Sequence, residues 1–237
     1  MDGVILAGGK GTRMRPLTLH RPKPLLELQG QPILAWSLLS LQDIVDHVLI
    51  VVSYLKEQIE RFMAGQDLIP AYTLVEQLPE PMGTGHALQT CRKILRSDDF
   101  LVINGDDLYS REALGHLASQ EIGILSILRD DFEHYGVVVH DQAGRFLRID
   151  EKPPRSRYRA PAPCNIGAYK FKARVFDYDL PISERGEYEI SDYVGLAAQD
   201  HAVTVVDSPF WLPIGDPAAL EAAQQVDIKR WIISPLG

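Results

Sequence analysis

An α/β fold, a Rossmann-like domain around a mixed but mostly parallel sheet, is predicted for this 237-residue chain. Two observations carry that prediction. Apolar runs of strand length alternate with stretches of helical periodicity through the first half. Those runs are apolar throughout instead of alternating with polar residues, as expected where helices cover both faces of a sheet.

The elements follow in chain order. Residues 4–7 (VILA) form the first strand and break on Gly8 and Gly9. Residues 32–44 place Ile33, Leu34, Trp36, Leu38, Leu41 and Ile44 near one helical face. A strand at 48–53 leads to a helix at 54–63, and a strand at 72–75 leads to a helix at 85–95. Further strands are expected at 100–103 and 122–128. From roughly 130 to 190 the rhythm gives way to a strand-rich elaboration beside the sheet. Within it, 137–140 reads as a strand and 155–163 (RSRYRAPAP) as a loop. Helices return at 190–198 and 218–231, with a strand at 202–206 between them. Neither an internal repeat nor a low-complexity tract is present, and one domain spanning 1–237 is expected.

Composition narrows the function. Apolar residues at 46% and charged residues at 24% fit a soluble globular chain with an ample core. Two cysteines, Cys91 and Cys164, are too few for a disulfide framework and read as reduced thiols. No apolar run is long enough to span a membrane, and the apolar start breaks on glycine too soon for a secretory signal, so the cytoplasm is the default. A formal charge of -8 disfavours a nucleic-acid backbone as partner. Against that balance, residues 3–26 carry Lys10, Arg13, Arg15, Arg21 and Lys23 and no acidic residue. A cationic, glycine-hinged loop after a buried strand suits a polyphosphate, because glycine lets backbone N–H groups approach phosphate oxygens.

Three readings of the loop compete. A dinucleotide fingerprint needs G-x-G-x-x-G opening a helix and an acidic residue ending the next strand; here Pro16 arrives early and that strand ends in Ser53-Tyr54. A Walker loop needs its lysine after the last glycine, whereas Lys10 precedes Gly11. A plain turn with solvated charges is the third reading.

The run G-G-x-G-T-R-x-R-P-L-T…R-P-K-P-L-L, Gly8 to Leu26, resembles the signature of the sugar-1-phosphate nucleotidyltransferases, also called NDP-sugar pyrophosphorylases. The resemblance implies a nucleotide-binding domain that joins an NTP to a sugar 1-phosphate and releases pyrophosphate. It implies that Leu6, Ala7, Gly8, Gly9, Gly11 and Thr12 wrap the nucleotide, that Arg13 contacts the leaving pyrophosphate and that Lys23 supports the α-phosphate. Residues 77–88 (QLPEPMGTGHAL) resemble the base-reading segment, with Gln77 at the base edge and Gly83 and Thr84 beside it; an amide offers a pyrimidine imide one donor and one acceptor. His86 in that segment is assigned no chemistry.

In FLVINGDDLY the resemblance makes Asp106 a Mg²⁺ ligand, and Asp107, next along a strand, is expected to point away from it. The elements Y-G-V at 135–137 and E-K-P at 151–153 resemble family elements and imply that Gly136 offers backbone to the sugar, that Glu151 accepts from sugar hydroxyls and that Lys152 contacts the sugar phosphate. Asn165, in a strand resembling N-x-G-[IV]-Y, implies a grip on a sugar hydroxyl. Glu187 and Glu189 fall on one face if their stretch is extended. In FWLPIGDP, Pro213 stands where the family's metal aspartate or asparagine is expected, a loss worth about 3 kcal/mol of transition-state stabilisation. Asp216 is the substitute ligand this segment offers.

The expected reaction favours UTP or dTTP and glucose 1-phosphate or N-acetylglucosamine 1-phosphate, with Mg²⁺ as cofactor. A mannose-1-phosphate guanylyltransferase and a regulatory subunit that binds the same ligands are the alternatives. A glycosyltransferase would show D-x-D where Gly105-Asp106-Asp107 stands. No hexapeptide-repeat region follows, so no left-handed β-helix is expected; homo-oligomerisation stays open.

Overall fold

The computed structural model describes residues 1–78 and 80–233. The chain runs β1 (Asp2–Leu6), β2 (Glu27–Leu28), β3 (Gln31–Pro32), α1 (Ile33–Leu41), β4 (His47–Val52), α2 (Lys56–Ala64), β5 (Tyr72–Glu76) and α3 (Thr84–Cys91). It continues β6 (Asp99–Asn104), β7 (Asp107–Tyr109), α4 (Arg111–Ala118), β8 (Gly123–Arg129), β9 (Gly136–His140), β10 (Phe146–Glu151) and β11 (Ala162–Lys172). The last elements are α5 (Ile190–Asp200), β12 (Thr204–Asp207), β13 (Trp211–Pro213), α6 (Pro217–Ala223) and α7 (Ile228–Ile232).

Among the described residues one sheet holds nine strands, in the order β10-β9-β11-β6-β1-β4-β5, with β8 alongside β11 and β12 outside β8. β1 lies parallel to β4 and β6, β4 to β5, and β8 to β12. β11 runs against β6, β8 and β9, and β10 against β9. Successive strand residues face opposite layers. Val4, Leu49, Val51 and Val102 pack toward α3 and α5 with Leu88, Tyr193 and Val194. Ile5, Ile50, Leu101 and Ile103 pack toward α1 and α4 with Leu34, Leu38, Leu114 and Leu117. β4 is buried along its whole length, as its unbroken apolar run requires.

The structure amends the sequence reading in four places. The region 130–190 does not stand beside the sheet: β9, β10 and β11 continue it, because β11 pairs directly with β6. β11 starts at Ala162, inside the stretch expected to be loop. The helix expected at 218–231 is two short helices, with Asp227 accepting from Arg230 N at the start of α7. α4 was not anticipated; its eight residues are too few for a clear periodicity, and Ser110 caps it through Ala113 N.

From β1 the chain moves outward to β4 and β5, then returns to β6 on the other side of β1. That reversal opens a crevice beyond the carboxyl ends of β1 and β6, the place where open α/β sheets bind ligands.

Candidate active site

The glycine loop leaves β1 at that crevice. Ala7 N still bonds Val51 O at 2.9 Å, after which the backbone turns over the sheet end. Gly11 holds a left-handed φ of 59° before a one-turn helix at Thr12–Met14, and Thr18 Oγ1 donates to its carbonyl at 2.7 Å. Met14 is fully buried and anchors the turn, which leaves Arg13 over the crevice.

Two compartments open there. The first, about 440 Å³, is lined by Leu6, Ala7, Gly8, Gly9, Gly11, Thr12, Arg13, Lys23, Gln77, Gly83, Thr84 and Asp106, so every residue expected at the nucleotide meets in one cavity. The second, about 520 Å³, contains Glu151 and Asn165 together with Asp107, Tyr135, Glu189, Trp211, Pro213 and Asp216. Arg13, Thr84, Asn104, Asp106 and Gly215 border both.

At this border Lys23 Nζ donates to Asp106 Oδ2 at 2.6 Å; Lys23 is 6% exposed, while the Asp106 side chain keeps 39%. Gln77 is buried, and its Nε2 donates to Gly83 O at 3.2 Å and lies 3.1 Å from His86 Nδ1. The amide hydrogens are thereby committed, and Oε1 is the group free to accept from a base. His86, given no role by the sequence, orients that amide in the tautomer whose Nδ1 accepts.

The GTG segment is zipped to the strap at 187–190. Tyr188 N donates to Met82 O at 2.8 Å, Gly85 N to Tyr188 O at 2.7 Å, and Ile190 N to Thr84 Oγ1 at 3.0 Å. A Cβ on Gly83, whose φ is +95°, would lie 2.5 Å from Tyr188 O, so only glycine fits. Of the two strap carboxylates, Glu187 lines the first compartment and Glu189 the second.

On the sugar side, β11 shifts register between Asn165 and Tyr169, which turns this stretch toward the cavity. Asn165 Oδ1 accepts from Gly167 N at 3.0 Å and its Nδ2 donates to Tyr169 OH at 2.9 Å. Partial desolvation raises the Glu151 pKa; Arg185 opposes the rise and Glu189 adds to it. Gly136 lines neither compartment, but a Cβ there would meet Glu151 Oε1 at 3.0 Å, so its lack of a side chain makes room for that carboxylate. Lys152, exposed and with φ at 41°, also lies outside both linings.

Asp107 corrects an expectation. It lines the second compartment with Asp106 instead of pointing away. The alternation rule fails because β6 ends at Asn104, a turn takes Gly105 and Asp106, and Asp107 begins a new strand. Asn104 Nδ2 and Tyr109 OH donate to its Oδ2 at 3.2 and 3.4 Å. Burial and the neighbouring Asp106 charge push the Asp107 carboxyl up to about 7, with Asn104, Lys23 and the Trp211 N–H opposing. Asp216 also borders the compartment, yet its Oδ1 is spent capping α6 through Ala219 N at 2.8 Å.

The donor set suits a hard cation. Among the described residues no cluster of three or more His, Cys, Asp or Glu side chains is arranged to hold a metal. Magnesium instead takes one or two carboxylates and fills its shell with water and substrate phosphate oxygens, and the accessible Asp106 carboxylate fits that role.

A nucleotidyl transferase family profile matches residues 2–230. The chain belongs to the nucleotidyl transferase family. Over 220 residues it is 33% identical to the bifunctional protein GlmU of Methanocaldococcus jannaschii, covering 92% of this chain and 52% of that one. The chain thus spans about half the length of that relative. Over 241 residues it is 30% identical to the UTP–glucose-1-phosphate uridylyltransferase AglF of Haloferax volcanii, covering 95% of this chain and 96% of AglF. A Bacillus anthracis structure assigned as a glucose-1-phosphate thymidylyltransferase, solved with sucrose, superposes with a TM-score of 0.80 at 25% identity over 94% of each chain. The nucleotidyl transferase fold therefore accounts for the crevice.

Proposed function

We propose that this chain transfers a nucleotidyl group from UTP or dTTP to a sugar 1-phosphate of the glucose or N-acetylglucosamine type, releasing pyrophosphate. The observation that carries the reading is the shared border: the Lys23–Asp106 pair and Arg13 stand where the two compartments meet. The AglF likeness supports UTP and glucose 1-phosphate as substrates.

The chemistry follows from that arrangement. A phosphate oxygen of the sugar 1-phosphate attacks the α-phosphorus of the NTP in line. The new bond forms as the bridging bond to the β-phosphate breaks, and the electron pair leaves on pyrophosphate. Such a transfer requires positioning and charge stabilisation more than covalent help. Backbone N–H groups of the glycine loop and the Arg13 guanidinium hold the β- and γ-phosphates and receive the leaving charge. Lys23 neutralises charge building on the α-phosphate. Gln77 Oε1 accepts the imide N–H of a pyrimidine. Glu151 and Asn165 accept and donate to sugar hydroxyls, while Lys152, outside both linings, takes no part. Asp106 would hold Mg²⁺, which would supply Lewis-acid neutralisation of phosphate charge.

A panel of four or five NTPs against several sugar 1-phosphates, followed by pyrophosphate release, tests the reading. Release is expected with UTP or dTTP and a gluco-configured sugar. Release only with GTP and mannose 1-phosphate, or none at all with UTP still binding, defeats it.

A further inference from the structure

We propose that Asp107 is the second carboxylate toward the divalent cation, reaching from β7 into the volume where Pro213 of β13 supplies no side-chain ligand; the inference rests on the nucleotidyl-transfer reading. The decisive observation is register. β7 and β13 pair antiparallel with Asp107 directly opposite Pro213. Residues opposite one another on such a pair project to the same face, with Cβ atoms about 4.5–5.5 Å apart. A carboxylate at 107 therefore enters the same space as one at 213, from the facing strand. Ile214 N donates to Asp106 O at 3.2 Å and pins the turn that carries both aspartates against this strand.

Asp107 is built for a fixed role. It is 8% exposed and borders the compartment with Asp106. Its two hydrogen bonds, from Asn104 Nδ2 and Tyr109 OH, both end on Oδ2, so Oδ1 retains its lone pairs. Tyr109 OH, with a single hydrogen to give, also lies 3.0 and 3.2 Å from Ile166 O and Gly167 O, which ties this corner to the Asn165 stretch. Trp211 also lines this compartment and turns its Nε1–H toward the Asp107 carboxyl without closing a full hydrogen bond, so the indole flanks Asp107 on the cavity side. Asp216, the other carboxylate nearby, gives its Oδ1 to capping α6, and Pro213, not Asp216, is the residue paired with Asp107.

The test is Mn²⁺ binding to the full chain in the presence of α,β-imido-UTP, followed by loss of the free-ion electron paramagnetic resonance signal. Asp107→Asn is expected to weaken Mn²⁺ by at least about tenfold, since affinity follows the charge count of the ligands. Asp216→Asn, which retains the cap, is expected to bind as the unaltered chain does. The double variant Asp107→Asn, Pro213→Asp is expected to recover most of the affinity, because the carboxylate returns from the opposite strand. A merely structural role for Asp107 would not be rescued in this way. Mn²⁺ affinity unchanged in Asp107→Asn overturns the proposal, as does a double variant no better than the single one. Failure of the nucleotidyl-transfer reading is separately visible, as absent pyrophosphate release while the Mn²⁺ series behaves as described.

Discussion

Lys23 brings an ammonium group, on a residue 6% exposed, to the border of both compartments, where Asp106 Oδ2 is its partner at 2.6 Å. An ammonium held this way is a compact charge placed before substrate arrives, the condition under which electrostatic stabilisation is strongest. Lys23→Ala is expected to lower kcat/KM by at least about a hundredfold; steady-state kinetics giving near-normal turnover would remove Lys23 from the reaction. Asp107 makes a different kind of prediction. Its folded-state pKa is raised, from 3.8 to about 7, so the folded chain holds the proton more tightly than the unfolded one. Stability of the metal-free chain therefore falls as pH rises through that interval. Melts in chelator should show Asp107→Asn drawing ahead of the unaltered chain between pH 5 and 8, with little gap at the acid end. A gap independent of pH would mean that the carboxyl titrates as an ordinary aspartate.

The joint between the GTG turn and the 187–190 strap shows how one element serves both substrates. Backbone bonds from Tyr188 and to Tyr188 lock the strap onto the start of α3, and the strap then sends Glu187 to one compartment and Glu189 to the other. Gly83→Ala strikes this joint, since the new Cβ meets a carbonyl oxygen at 2.5 Å in a left-handed conformation. The backbone strain alone costs at least about 1 kcal/mol, and at this chain length each kcal/mol lowers Tm by about 2–4 °C. Gly83→Ala is therefore expected to melt earlier and to raise KM for nucleotide and sugar phosphate together. An effect confined to the nucleotide would show that the strap does not link the sites. β11 works similarly at the other end. Its register shift carries Asn165 into the cavity, and Gly167, at φ +78°, leaves room for Asn104, whose Nδ2 would lie 2.1 Å from a Cβ.

At the scale of the whole molecule, the strand order places the crevice. Because β6 returns to the far side of β1, the loops after the two strands face each other, and Arg13 on one comes to the border occupied by Asp106 on the other. Five of the 24 lysines and arginines of this acidic chain, and no acidic residue, lie in residues 3–26, which suits that loop to a triphosphate on the proposed reading. On the same reading, two substrates in adjoining compartments react in a single displacement. A chiral thiophosphate substrate is expected to show inversion at the α-phosphorus; retention would reveal a covalent enzyme intermediate and defeat the direct attack.

Much of this was legible in residue order alone. Unbroken apolar runs marked β1, β4 and β6 because strands buried on both faces have no polar side to show. Glycines and cations in one short loop marked the residues that meet in the first compartment, because that pattern is local in sequence. Other features depend on pairings between distant segments. Nothing near Asp107 reveals that Pro213 lies opposite it, since that register is set across more than a hundred residues. Nor does residue order show that His86 orients Gln77, that Asp216 is spent on a helix cap, or that β11 joins the 130–190 region to the main sheet. The sequence by itself determined the fold class and the cationic glycine loop, both written in contiguous residues; the tertiary structure alone decided which carboxylates share the junction, because strand register brings them together.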